Sequence, residues 1–248
     1  MLSPAKLPFT LEAHSLTIRT AWRSALIGFQ RLAVPAQCPS CSTRIERPGH
    51  LCAACAEQFE SEQEPLTIEL ETYAVHAIAP FSGVWANVVR AYKQDPTPGV
   101  ADLVEPLFAR LLRERLDAPA PILVPVPMAP VRRRERGFSP AERLARSMAR
   151  VLGWPNEPHL LSRVRYRRPL RGLTAAERRA EIQGAIVPGP AAIVRADLCS
   201  EGPARVVLID DVLTTGSTLD ACATAVRSLA PSIELTAAVL GATPAGER

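Results

Sequence analysis

The chain has 248 residues, 47% of them apolar and 22% charged, with a formal charge of +4 and a mean hydropathy of +0.05. These are the values of a globular chain of one to two domains, and they exclude collagen-like and strongly disordered classes. Its 24 Pro and 13 Gly stay below the share that marks low-complexity sequence. No stretch approaches the ~18 apolar residues of a membrane span, so no membrane insertion is expected. The first twenty residues hold no apolar h-region, so a secretory signal is not expected and a cytoplasmic location is.

Charge is unevenly placed. Residues 131–179 hold 14 Arg against four Glu, in a chain whose total is only +4, so the remainder is net acidic. Concentrated positive charge attracts phosphate, in nucleic acid or in a small phosphorylated ligand. A solvated Arg-rich face is the plainer alternative.

In chain order, residues 1–35 form an N-terminal segment. Within it Leu16, Trp22, Leu26 and Phe29 recur at roughly helical spacing and predict an amphipathic helix over 16–34. Residues 36–60 hold Cys38, Cys41, Cys52 and Cys55 as C-x2-C-x10-C-x2-C, with a Pro48-Gly49 turn signal between the pairs. Two such knuckles present four thiolates to a tetrahedral ion, and four soft ligands with no open position suit structural Zn2+. Reduced free thiols or a redox pair are the alternatives, although redox Cys-x-x-Cys motifs sit beside a βαβ unit and these do not. His50 is an alternative ligand in place of a cysteine, although a lone His beside a knuckle is more often a neighbour of the cluster or exposed, and Cys199 and Cys222 are read as ordinary small buried residues. The acidic stretch over 61–71 reads as a linker.

From residue 72 to 248 short apolar runs alternate with helical stretches. Strands are predicted over 73–81, 121–127, 205–210 and 233–240, and helices over 100–116 and 218–230. A further helix opens on the capping box Ser139-Pro140-Ala141-Glu142 and stops at Gly153, and a shorter one opens on Thr174-Ala175-Ala176-Glu177 and ends at Gly184. Strands separated by helices predict an α/β domain with a parallel sheet.

The sharpest signal is RVVLIDDVLTTGST, residues 205–218: a buried strand, two adjacent acids, a hydroxyl-rich turn and a helix start. Backbone N–H groups from Val212 and Leu213 onward, with Thr214, Thr215, Gly216, Ser217 and Thr218, are suited to encircle a phosphate monoester at the helix N-terminus. Asp210 and Asp211 then stand where a ribose offers vicinal hydroxyls and Mg2+ needs oxygen ligands. The alternative is a capped helix with solvated acids. No Gly-Lys-Ser/Thr is present, so this is not a Walker loop.

IDDVLTTGST resembles the phosphoribosyl-pyrophosphate (PRPP) signature of type I phosphoribosyltransferases. More specifically, the chain is similar to the ComF family of competence-associated, phosphoribosyltransferase-like proteins. The zinc knuckles at 38–55, VPVPMAPVRRRERGFSPAERLA at 124–145, GLTAAERRAEIQGAI at 172–186 and the PRPP loop occur in family order. Members usually carry Gln where Leu170 stands, Asn where Glu181 stands and an aromatic where Ile186 stands. The resemblance implies a parallel-sheet type I phosphoribosyltransferase core over 72–248 behind a small zinc-knuckle module. It makes Asp210 and Asp211 the catalytic acids that fix the ribose, and residues 128–136 a loop meeting pyrophosphate through Arg132 and Arg133. Lys93 matches a family lysine near the site. Segment 163–187 becomes a lid, with Arg165, Arg168 and Arg171 closing on the ligand.

Two functions follow from these features. In the first, PRPP and Mg2+ bind and a 5-phosphoribosyl group passes to a nitrogenous acceptor, through an oxocarbenium-like transition state that needs positioning rather than a covalent nucleophile. In the second, the site binds PRPP or a related ribose 5-phosphate ligand, and the chain serves DNA uptake or processing by meeting single-stranded DNA or a helicase partner. Aromatic residues are sparse in the basic region, which weakens any base-stacking platform and favours the enzyme.

Overall fold

The computed structural model describes residues 36–94, 98–116, 119–164, 174, 184–194 and 204–243. The helix expected over 16–34, the body of the helix expected over 174–184, and the lid arginines Arg165, Arg168 and Arg171 lie outside them.

Seven strands are described: β1 (Leu66–Glu69), β2 (Ala74–Pro80), β3 (Ile122–Pro125), β4 (Leu161–Arg163), β5 (Ile186–Pro188), β6 (Arg205–Leu213) and β7 (Glu234–Ala242). The helices are α1 (Ala53–Ser61), α2 (Gly83–Gln94), α3 (Pro98–Arg115), α4 (Pro130–Arg136), α5 (Pro140–Leu152), α6 (Pro190–Val194) and α7 (Ser217–Arg227). Five strands form one sheet in the order β1-β2-β7-β6-β3, in which β1 runs antiparallel to β2 and the other neighbours are parallel. Strands β4 and β5 make a separate antiparallel pair.

The central strands are near-continuous apolar runs because both sheet faces are covered. The period-two alternation then deals their side chains to two cores. Val207, Ile209, Ala238 and Leu240 face α1, α2, α3 and α5, whereas Val206, Leu208, Ala237 and Val239 face α7 and the β4–β5 pair. This mostly parallel mixed α/β sheet agrees with the expected α/β class and parallel sheet, with β1 added as an antiparallel edge.

Three local expectations change, and one helix appears that was not expected. Residues 61–71, expected as a linker, contain β1, whose Leu66–Glu69 register against Ala77–Ala74. Leu66 and Ile68 pack on the second core while Thr67 and Glu69 point outward, a short alternation hidden among glutamates. Strand β6 runs three residues past the expected end at Asp210, because its ladder with β7 continues to Leu213↔Ala242. The basic loop expected over 128–136 holds the short helix α4, started by Pro130 and stopped by Gly137 at φ 83°. Helix α2 had no expectation. It buries Val84, Trp85, Val88, Val89 and Tyr92 along one side, and its cap comes from afar: the Glu62 carboxylate accepts from the N–H groups of Val84 (3.2 Å) and Trp85 (2.8 Å).

The cysteine segment is built into the first core. Cys38, Cys55 and Phe59 are buried in it, and the Phe59 ring lies 5.3 Å from that of Trp85. Gly49, at φ 80°, meets Gly99 at the start of α3 so closely that a Cβ there would stand 2.2 Å from the Gly99 Cα. Only paired glycines permit that approach.

Candidate functional site

Cys38 and Cys41 flank one turn, while Cys52 precedes α1 and Cys55 lies in its first turn, so each knuckle is fixed by local structure. The turn of the first knuckle is closed by Ser42 N–H donating to the Cys38 carbonyl (2.9 Å) and Cys38 N–H donating to the Thr43 carbonyl (2.8 Å). The four Sγ atoms lie within 4.8 Å of one another, and Cys41 Sγ is 3.6 Å from Cys52 Sγ. Tetrahedral zinc with Zn–S bonds of ~2.3 Å sets its sulfurs about 3.8 Å apart, so the cluster fits that ion. The Thr43 hydroxyl, 3.2 Å from Cys41 Sγ, and the Thr43 backbone bring that exposed thiol down to about 6. Burial pushes Cys55 up to about 12, and a bound cation would offset that cost.

A second site lies at the carboxyl ends of β3 and β6, where ligands bind in open α/β sheets. A cavity of about 210 Å³ opens there, lined by Lys93, Arg132, Arg136 and Arg163 among its cations and by Asp210 and Asp211 as its acids. Thr218, in the first turn of α7, and Ser139, at the start of α5, complete the polar wall. Each element delivers its group for a local reason. Strand β6 loses its β3 neighbour after Ile209↔Pro125, which frees one side of Asp210 and Asp211. Ser139 caps α5, its Oγ accepting from Glu142 N–H at 3.3 Å. Lys93 stands in the last turn of α2 and reaches Asp211, Nζ to Oδ1 2.9 Å.

The two acids are unlike. Asp210 Oδ1 accepts the backbone N–H of Asp211 at 2.8 Å. Desolvation of its recessed carboxyl, with the neighbouring Asp211 charge as second cause, pushes Asp210 up to about 8. Behind the cavity wall, burial also raises the Cys222 thiol well above its usual range, and Asp210 adds to the shift.

The other expected site residues divide. Arg133 pairs with Glu142 and does not line the cavity. Val212 packs against the first core and Leu213 is buried in the second, so those two side chains serve the fold. Thr214 and Thr215 are exposed, and the Thr215 and Ser217 hydroxyl oxygens lie 3.1 Å apart. Gly216 takes φ 80° at the start of α7, a left-handed conformation that favours glycine. None of residues 212–217 lines the cavity itself, although they join two positions, Asp211 and Thr218, that do.

Sequence reasoning did not single out Arg136 or Arg163 as site residues. Arg136 was one of four arginines in a run, and only helix α4 decides which of them turns inward. Arg163 arrives on β4 from the far sheet face, which no local pattern reveals.

The fold and its two sites define a mixed α/β protein with a four-cysteine cluster and a cation-rich cavity at its strand ends. No protein-family model matches the chain. It is 35% identical over 108 residues to Competence protein F of Haemophilus influenzae (strain ATCC 51907 / DSM 11121 / KW20 / Rd), a match covering 43% of this chain and 44% of that protein. This similarity agrees with the resemblance to the ComF family, and the matched region spans less than half the length of that relative.

Proposed function

We propose that the chain binds a phosphorylated ribose, PRPP with Mg2+, in the cavity and transfers the 5-phosphoribosyl group to a nitrogenous acceptor. One observation carries this reading: two adjacent carboxylates on β6, just past the end of its pairing with β3, share a cavity with Lys93, Arg132, Arg136 and Arg163. Carboxylates suit ribose hydroxyls and a hard cation, and Arg forks suit phosphate oxygens. In the reaction the ribose C1–O bond to pyrophosphate breaks, its electron pair leaving with pyrophosphate, and a C1–N bond forms. The acceptor nitrogen gives up its proton to solvent water. Bound Mg2+ would supply charge neutralisation of the departing pyrophosphate. Asp210 and Asp211 orient the sugar and the cations hold the phosphates, so catalysis rests on positioning and electrostatics. The similarity to Competence protein F supports a competence-associated role.

Calorimetry with Mg-PRPP, followed by a screen of bases for pyrophosphate release, tests the reading. Asp210→Asn with Asp211→Asn should weaken Mg-PRPP binding by about tenfold or more, since each change replaces a carboxylate oxygen ligand with an amide nitrogen that cannot hold a cation. Unchanged binding in the double variant would mean the cavity is misassigned.

A second reading, an accessory factor in DNA uptake that meets single-stranded DNA or a helicase, draws on Arg134, Arg146 and Arg150, which are exposed outside the cavity. A steep salt dependence of DNA binding favours it, and no binding at low salt removes it.

A further inference from the structure

The cavity's acids are already partnered. Lys93 Nζ holds Asp211 Oδ1 at 2.9 Å, with the side chains only 25% and 15% exposed, so this pair is less screened than an ordinary surface pair. Lys93 is held firmly. The preceding residue, Tyr92, is fully buried, its hydroxyl donates to Glu105 Oε1 at 3.3 Å, and the Arg143 guanidinium stacks on its ring at 4.7 Å. Glu105 is also met by Arg143 at 3.7 Å and by the Ser147 hydroxyl, so α2, α3 and α5 jointly fix the last turn of α2. Around Asp211 the cavity carries four cationic side chains, Lys93, Arg132, Arg136 and Arg163, against two acids. A free divalent cation approaching those acids meets net positive charge and an occupied carboxylate. An anionic ligand meets attraction, and once in place it offers Lys93 a phosphate oxygen in exchange for Asp211.

We propose that Lys93 is a resident counter-cation of Asp211 that makes the cavity selective, refusing a free divalent cation and admitting one only with a phosphate-bearing ligand that draws Lys93 away. The proposal deepens the phosphoribosyl reading and rests on it for the identity of the anion. Lys93 is thereby a specificity-determining residue, acting through the charge it places on Asp211.

The test uses the full chain with zinc in its cysteine cluster, titrated separately with Mn2+ alone and with inorganic pyrophosphate alone. Lys93→Met keeps the length and helix-forming character of the side chain while removing its charge. It should bind Mn2+ about tenfold more tightly than the parent chain and pyrophosphate about fivefold more weakly, as expected for loss of one close cation. Lys93→Arg should behave as the parent in both titrations. Adding Asp211→Asn to Lys93→Met should erase the gain in Mn2+ affinity. If Lys93→Met binds Mn2+ no more tightly than the parent, or if Lys93→Arg shows the same gain, the counter-cation role is wrong. If the Mn2+ gain appears but neither protein binds pyrophosphate, Lys93 keeps its role and the phosphate-ligand reading falls instead.

Discussion

Asp210 costs the empty protein stability because of where β6 leaves it. In the unfolded chain an aspartate ionises near ~3.9. In the fold, burial and the charge of Asp211 hold its proton until about 8. Between those values the unfolded state binds fewer protons, so folding stability falls as pH rises through that window and is fully present only below it. Asp210→Asn removes the titration while keeping an oxygen that can accept the Asp211 N–H. The ligand-free variant should therefore match the parent near pH 4 and exceed it at pH 8, by about 2–4 °C in Tm for each kcal/mol recovered. Thermal melts across that range check this. A difference that does not change with pH would place the effect elsewhere.

Helix α5 shows how an element serves both fold and site. Its amphipathic face buries Leu144, Ala145, Ser147 and Met148, while its first residues, Ser139 to Ala141, line the cavity. The Ser139 hydroxyl caps the helix, and the Glu142 carboxylate is drawn to Arg133 on α4, tying the two helices together. Ser139→Ala should cost about 1 kcal/mol, the usual worth of a lost N-cap, read as a lower urea midpoint with an unchanged slope. A loss of a few tenths would show that the Glu142 tie and the Pro140 start suffice.

At the scale of the molecule, the cysteine cluster and the sheet share one core. From the sequence, removing a zinc ligand is expected to loosen an N-terminal module and leave the α/β core folded. The burial of Cys38, Cys55 and Phe59 against Trp85, together with the Gly49–Gly99 contact, changes that expectation. Zinc removal or Cys52→Ser should lower the whole domain's stability by roughly 3 kcal/mol or more, as a single shifted transition. Calorimetric melts of protein with and without metal decide it. A separate early transition with the main one unmoved would restore the independent module.

How much of this was legible in the sequence depended on how far apart the deciding residues lie. The cysteine spacing, the strand–turn–helix at 205–218 and the Ser139 cap were readable because each is set within fewer than twenty neighbouring residues. The parallel α/β class followed from the alternation of apolar strands with helices. Helix α2 went unread because its cap, Glu62, lies more than twenty residues upstream of the N–H groups it satisfies. Strand β1 went unread because two apolar residues among glutamates become a strand only once β2 offers its edge. Within the site, the sequence by itself determined the chemistry of the groups: paired acids, hydroxyls and arginines. Only the tertiary structure decided which of them meet. It turned Arg132 and Arg136 inward and Arg133 toward Glu142, brought Arg163 across on β4, and set Lys93 on Asp211. Electrostatics acts through space, and only folding fixes those distances.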